Sequence, residues 1–271
     1  MFETFKRSYG LVKKSFGVLL SDKKLLLFPA ISSIVLIGLI ISFIVPAIFV
    51  AESDILFYGL LALFYLASYF TVIFFNSSLI YAASSKMEGK QVGFGESISF
   101  SLSKIGNIFA WAVIAATVGM VLSILKGKAE EGKNVGAVVA RFVIGLIGLA
   151  WSLATYFVVP VLVFEGVGPI AAIKKSVSLI KKTWGESIVG GIGVSVVFFV
   201  FYLLGVALAF GLALIGGLAA VIIIAAPYFL LVFLAQEAIQ GIFIAALYRY
   251  ANTGQSVVFA QEELEAAFRR K

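Results

Sequence analysis

The sequence predicts an all-α integral membrane protein with six transmembrane helices and basic amphipathic helices lying in the membrane interface. Three observations lead there. Long charge-free apolar runs recur along the chain, basic residues collect in alternate gaps between those runs, and a short lysine-bearing motif is repeated. Of 271 residues, 62% are hydrophobic and 13% are charged. A soluble domain has about 45–50% and about 25%. Histidine and cysteine are both absent, which removes imidazole and thiol catalysis, Cys/His zinc centres and disulfides.

A spanning helix needs about 20 apolar residues. Leu25–Val50, Ile55–Ala83 and Ile105–Leu125 carry no charge, and Val135–Phe164 carries only Arg141. The first run follows a basic segment with no small-residue cleavage site, so it reads as a span and not as a signal peptide. The tract Glu186–Tyr248 has one interior charge, Glu237. As one helix it would be about 95 Å long, against a bilayer core of about 30 Å. A reversal is expected where Gly211, Gly216 and Gly217 cluster, which makes six spans. Most of the 21 basic residues then share one side with both termini. Lys126, Lys128, Lys133 and Arg141 lie on the other. The positive-inside bias therefore predicts a cell-membrane protein with cytoplasmic termini.

Ser8–Gly17 and Ser176–Gly185 share the form S-x-x-L-(V/I)-K-K-(S/T)-(F/W)-G, and a fainter copy starts at Ser99. Apolar residues alternate at steps of three and four: Phe2, Phe5, Tyr9, Val12, Phe16; Ile98, Leu102, Ile105, Phe109; and Ile170, Ile173, Val177, Ile180, Trp184. That spacing makes one helical stripe. A second element, Gly89–Phe94, is matched by Gly254–Phe259. The plan is thus one membrane domain of three helix-plus-hairpin repeats, 1–90, 91–165 and 166–255, followed by a cytoplasmic tail helix, 256–271. Its units run in the same direction, unlike inverted-repeat transporters. A basic amphipathic helix beside a span lies in the interface, with its lysines on phosphate headgroups. The headgroup contacts expected are Lys13, Lys14, Lys104, Lys174, Lys175, Lys181 and Lys182.

Polar side chains inside spans are the other candidates. Asn76, Ser77 and Ser78 lie in the second span, and Gln236, Glu237 and Gln240 in the last. They either bond between helices or line a path for a solute, ion or lipid. Arg141 is near a span end, where it snorkels outward. Pro160 is expected to bend its helix and aim the following amphipathic helix into the interface.

Asp22–Pro29, Trp151–Leu162, Glu165–Gly166 and Gly168–Ile170 together resemble an uncharacterised family of bacterial and archaeal multi-pass membrane proteins, a domain of unknown function. The chain is more distantly similar to the membrane domain attached to some glycerophosphodiester phosphodiesterases. The resemblance implies a six-span helical protein and no activity. The soluble phosphodiesterase domain, with its metal-binding acids and histidines, is absent, so no phosphodiesterase chemistry carries over.

No P-loop, dinucleotide fingerprint, HExxH or Ser-His-Asp arrangement is present. The expectation is a non-enzymatic protein with no cofactor and no metal. Its basic residues are not interleaved with stacking aromatics on a soluble surface, so nucleic acid is not an expected partner. Anionic membrane lipids are, and self-association is a further one. The reading is a lipid-interacting scaffold or membrane partner subunit. The alternative is a channel or transporter built around Glu237.

Overall fold

A computed structural model describes residues 15–50, 52–132, 134–183 and 187–253. Every regular element among them is helical. Helix α1 (15–21) leads through a 3-10 turn, Lys23–Leu26, to α2 (Leu27–Phe49). Then come α3 (Asp54–Met87), α4 (Phe94–Leu102), α5 (Ile105–Glu131), α6 (Val135–Ala154), α7 (Val158–Glu165), α8 (Pro169–Thr183), α9 (Ser187–Ala220), a π turn (Val221–Ala225) and α10 (Ala226–Thr253).

Among the described residues, five stretches are long and apolar enough to cross a membrane: Lys23–Phe49, Asp54–Met87, Ile105–Glu131, Val135–Glu165 and Val194–Arg249. In hydrocarbon every backbone polar group needs an internal partner, which a helix supplies. Large apolar side chains such as Phe49, Val135 and Ile215 remain exposed, as on a surface that lipid covers. The last stretch is continuous in composition but not in backbone. Gly217 takes φ 63°, ψ −163°, a conformation open essentially to glycine alone. The chain reverses there, within the glycine cluster where the sequence places the turn.

The chain divides into two compact units. One is built from Met1–Ala30, Leu79–Phe94 and Lys182–Lys271. In it α9 and α10 form an antiparallel hairpin. The Tyr228 hydroxyl donates to the Phe201 carbonyl at 2.9 Å, and the rings of Tyr202 and Phe229 stack at 6.3 Å. Gly205 admits this contact, because a Cβ there would meet Tyr228 Cε1 at 2.7 Å and Phe229 Cε1 at 2.8 Å. Phe16 of α1 stacks on Phe198 of α9 at 6.2 Å, and the 3-10 turn packs on α10. The core joins Ile80 and Ala83 of α3 with Ile239, Ile242 and Leu247 of α10, all buried.

The other unit is built from Ile31–Ser78 and Gly95–Lys181. It holds two further hairpins. Phe43 of α2 meets Phe64 of α3 at 5.4 Å, and Trp111 of α5 stacks on Trp151 of α6 at 5.8 Å. Two expected continuities fail. The stripe Ile98–Leu102–Ile105–Phe109 is split between α4 and α5, because the helix stops at Leu102 and restarts after Ser103–Lys104. The Val135–Phe164 run stops at Ala154 and resumes at Val158. Its bend therefore precedes Pro160. As third residue of α7, Pro160 occupies a position where a backbone N–H has no intrahelical acceptor.

Candidate lipid-contacting helix and intramembrane polar groups

Gly166 (φ 67°) ends α7 in the left-handed conformation, a common way to stop a helix. Pro169 starts α8 with φ already suited to a first turn. At about 100° per residue, Ile170, Ile173, Val177 and Ile180 share a sector of about 80°. The face packed against the protein is a different one. It is made by Ala172, Ser176 and Leu179, all buried. Ser176 Oγ accepts the N–H of Phe157 at 3.0 Å, which answers a donor freed by the α6–α7 break. Ile170 is 59% exposed, and Ile173, Val177 and Ile180 are half-buried. The face of Ala172, Ser176 and Leu179 turns inward, while the apolar stripe is exposed at Ile170 and partly exposed along Ile173, Val177 and Ile180.

The other short helices repeat this habit. α4 buries Ser97 and Ser101 and exposes Leu102, and α1 buries Ser15. Small side chains permit close helix approach, which suits an inward face in a membrane protein.

The predicted headgroup lysines divide three ways. Lys174 and Lys181 are exposed, in a row beside the apolar stripe. Lys175 pairs with Glu165 at 3.5 Å, and Lys104 Nζ lies 3.4 Å from the site of a Cβ on Gly166. Both ammonium groups thus sit at the α7–α8 corner, where a cation favours the α7 C-terminus. Asn107 Nδ2 adds a bond to the Gly166 carbonyl at 3.2 Å. Lys13, Lys14 and the side chain of Lys182 lie outside the described residues, as do the segment Gly254–Phe259 and the tail 256–271.

Of the intramembrane groups, Ser77 and Ser78 are buried and locally engaged. Ser77 Oγ donates to the Ile73 carbonyl at 2.7 Å, and Ser78 Oγ reaches the Phe74 carbonyl at 3.2 Å and Ser101 Oγ at 2.8 Å. Asn76 is half-buried. These three belong to the second unit described. Gln236, Glu237 and Gln240 are half-buried on α10 in the first. Gln236 Oε1 is buried with no hydrogen-bond partner among the described residues. No group of three or more His, Cys, Asp or Glu residues is placed to hold a metal among the described residues.

One polar assembly escaped the sequence reading. Arg249, near the end of α10, bonds through Nη1 to Glu88 Oε1 at 2.5 Å and to the Ser84 carbonyl at 3.2 Å. Glu88 Oε2 pairs with Lys90 at 2.7 Å, and Lys86 with Asp22 at 4.0 Å. The Lys90 hydrogen bond, aided by the Arg249 charge, holds the Glu88 carboxyl below the ordinary range. Glu88 in turn pushes the Lys90 ammonium up. Asp22 precedes the first run and Glu88 follows the second, so the start and the end of the first hairpin meet at one place with the end of the last. The available signal was these two acids, set just outside apolar runs in gaps where basic residues predominate.

Residues 55–258 match a family of unknown function, DUF6159, and the chain belongs to that family. No curated protein and no solved structure matches the chain. The comparisons give no link to the glycerophosphodiester phosphodiesterase membrane domain.

Proposed function

We propose that this DUF6159 member is a non-enzymatic six-span membrane protein that acts as a lipid-interacting scaffold or partner subunit, with both termini cytoplasmic. The reversal at Gly217 supports the sixth span. Meeting of Asp22, Lys86, Glu88 and Arg249 supports an even number of crossings between them. Three antiparallel hairpins, each preceded by a short helix that buries serine, support a threefold repeat plan.

The observation that carries the lipid reading is α8. Its apolar stripe, exposed at Ile170 and partly exposed at Ile173, Val177 and Ile180, offers a face to hydrocarbon while Lys174 and Lys181 stand beside it, exposed. A lysine near an anionic surface contributes about 1 kcal/mol. Replacing both by Gln should weaken anionic-lipid binding by about 2 kcal/mol, roughly 30-fold. Adding Lys13, Lys14 and Lys182 should weaken it further. Lipid mass spectrometry of protein purified from mixed anionic and zwitterionic membranes reads the ratio retained. An unchanged ratio defeats the proposal.

A second reading, a pathway along α10, is favoured by the orphaned Gln236 Oε1 one residue from Glu237. It requires ion or small-solute flux through protein in liposomes, altered by Glu237→Gln. Absence of flux across several ions and pH values removes it.

A further inference from the structure

The second unit contains a cavity of about 300 Å³ between α3 and α5, lined by Ala62, Leu63, Tyr65, Leu66, Val113, Ala116, Thr117 and Met120. Leu63, Val113 and Thr117 are exposed, so the cavity opens sideways, toward the lipid side of both helices. Its walls are apolar except for two hydroxyls. Thr117 Oγ1 donates its proton to the Val113 carbonyl at 2.7 Å, which leaves its lone pairs to accept. The Tyr65 hydroxyl has no hydrogen-bond partner among the described residues and remains a donor, its ring stacked on Tyr69 at 6.3 Å. Nearby on the same helix, about 60° around it, Ser68 Oγ is buried and also unpartnered.

Depth narrows the occupant. Tyr65 lies about 16 Å along α3 from Asp54, and Thr117 about 18 Å along α5 from Ile105. The two helices enter from opposite faces in the topology proposed above. Both hydroxyls therefore lie near the middle of a core about 30 Å thick. Phospholipid ester and headgroup oxygens sit about 15 Å away, at the core boundary. A phospholipid would place only acyl chain there and leave the phenol unsatisfied, at a cost of about 1–3 kcal/mol. A ligand hydroxyl supplies what either group needs, an acceptor for Tyr65 and a donor for Thr117.

We propose that this cavity binds a neutral lipid alcohol, an apolar body with a hydroxyl carried inside the hydrocarbon. The site is separate from the lysine-flanked helix, and its ligand needs no charged headgroup. A further cleft, about 210 Å³ between α2 and α3, is lined by apolar residues such as Phe43 and Phe64 and has no group to select a ligand.

The test uses the full chain in phosphatidylcholine nanodiscs with two photoreactive probes, a diazirine-bearing farnesol and the matching hydrocarbon without the hydroxyl. The alcohol should label peptides of α3 and α5 about two- to tenfold more than the hydrocarbon, the range of one net hydrogen bond. Tyr65→Phe and Thr117→Val, both nearly isosteric, should each bring the alcohol toward the hydrocarbon level. Equal labelling of the wild type by both probes means an acyl-chain groove and overturns the proposal, with no variant needed. Labelling that both substitutions leave unchanged overturns it too. Retention of anionic lipid should be the same in Tyr65→Phe as in wild type, so failure here is distinguishable from failure of the lysine-based reading.

Discussion

Arg249→Gln tests the join between the ends of α3 and α10. The pair has a short contact, 2.5 Å, with side chains 21% and 35% exposed. Two unit charges 4 Å apart attract by about 1 kcal/mol in water and about 4 kcal/mol at an effective dielectric of 20. Partial exposure puts this pair between those limits. Fixing an arginine side chain costs up to about 2 kcal/mol of rotamer entropy. The Ser84 carbonyl also accepts the Glu88 N–H at 3.1 Å, so losing the guanidinium does not strand it. The net loss should be about 1–2 kcal/mol. Lys90 has the larger influence on Glu88 ionisation, but its side chain is 68% exposed. Solvent screening makes that pair worth little to stability, so Lys90→Gln should cost less than Arg249→Gln. The assay is reversible unfolding in mixed micelles, followed by helical circular dichroism, for Arg249→Gln, Glu88→Gln and the double variant. A coupling near 1 kcal/mol is expected. Additivity of the two single losses within about 0.5 kcal/mol would refute the reasoning, because independent sites behave that way.

Other outcomes follow from the same geometry. Glu88 has a folded pKa below its unfolded one, so its contribution is complete above the ordinary carboxylate pKa of about 4.3 and is lost as pH falls through the lowered value. An acid titration of stability should therefore flatten in that window for Glu88→Gln. Gly205→Ala gains up to about 1 kcal/mol of helix propensity but drives a methyl into ring atoms of Tyr228 and Phe229. Overpacking costs about 1–3 kcal/mol, and the Tyr228 hydroxyl bond resists retreat, so micelle unfolding should show net destabilisation. Gly217→Ala forces a side chain into a strained backbone conformation at a cost of about 1–3 kcal/mol, and cysteine crosslinking between positions 202 and 229 should report a loosened hairpin. Ser176→Ala removes the hydroxyl that accepts the buried Phe157 N–H, a net loss of about 0.5–1.5 kcal/mol for one hydrogen bond, measured in the same unfolding assay.

The spans were legible because hydrocarbon demands long uncharged runs, such as Leu25–Val50, Ile55–Ala83 and Ile105–Leu125. The reversal at Gly217 was legible because a glycine cluster in an overlong apolar tract has few other uses. The break at Ser103–Lys104 was not legible, since the steps from Leu102 to Ile105 and Phe109 keep helical spacing across it. The inward face of α8 was not legible, for a physical reason. Periodicity marks where apolar residues lie, and in lipid that face need not be the packed one. Ala172 and Ser176 carry too weak a signal to compete with Ile173 and Val177. Residues holding the Arg249 join are far apart in sequence, and only their position beside apolar runs hints at their use.

The distance along the chain between Glu88 and Arg249, 161 residues, also has a temporal meaning. A ribosome adding about 5–20 residues per second needs about 8–30 s to make that length. Throughout that interval a newborn first hairpin sits in the bilayer with Glu88 served by Lys90 alone and Ser84 awaiting its guanidinium. The hairpin must endure without its final partner. Nascent chains stalled before α10 should carry a carboxylate held by Lys90 alone at the membrane edge, a mark by which a quality-control protease could tell unfinished copies from finished ones.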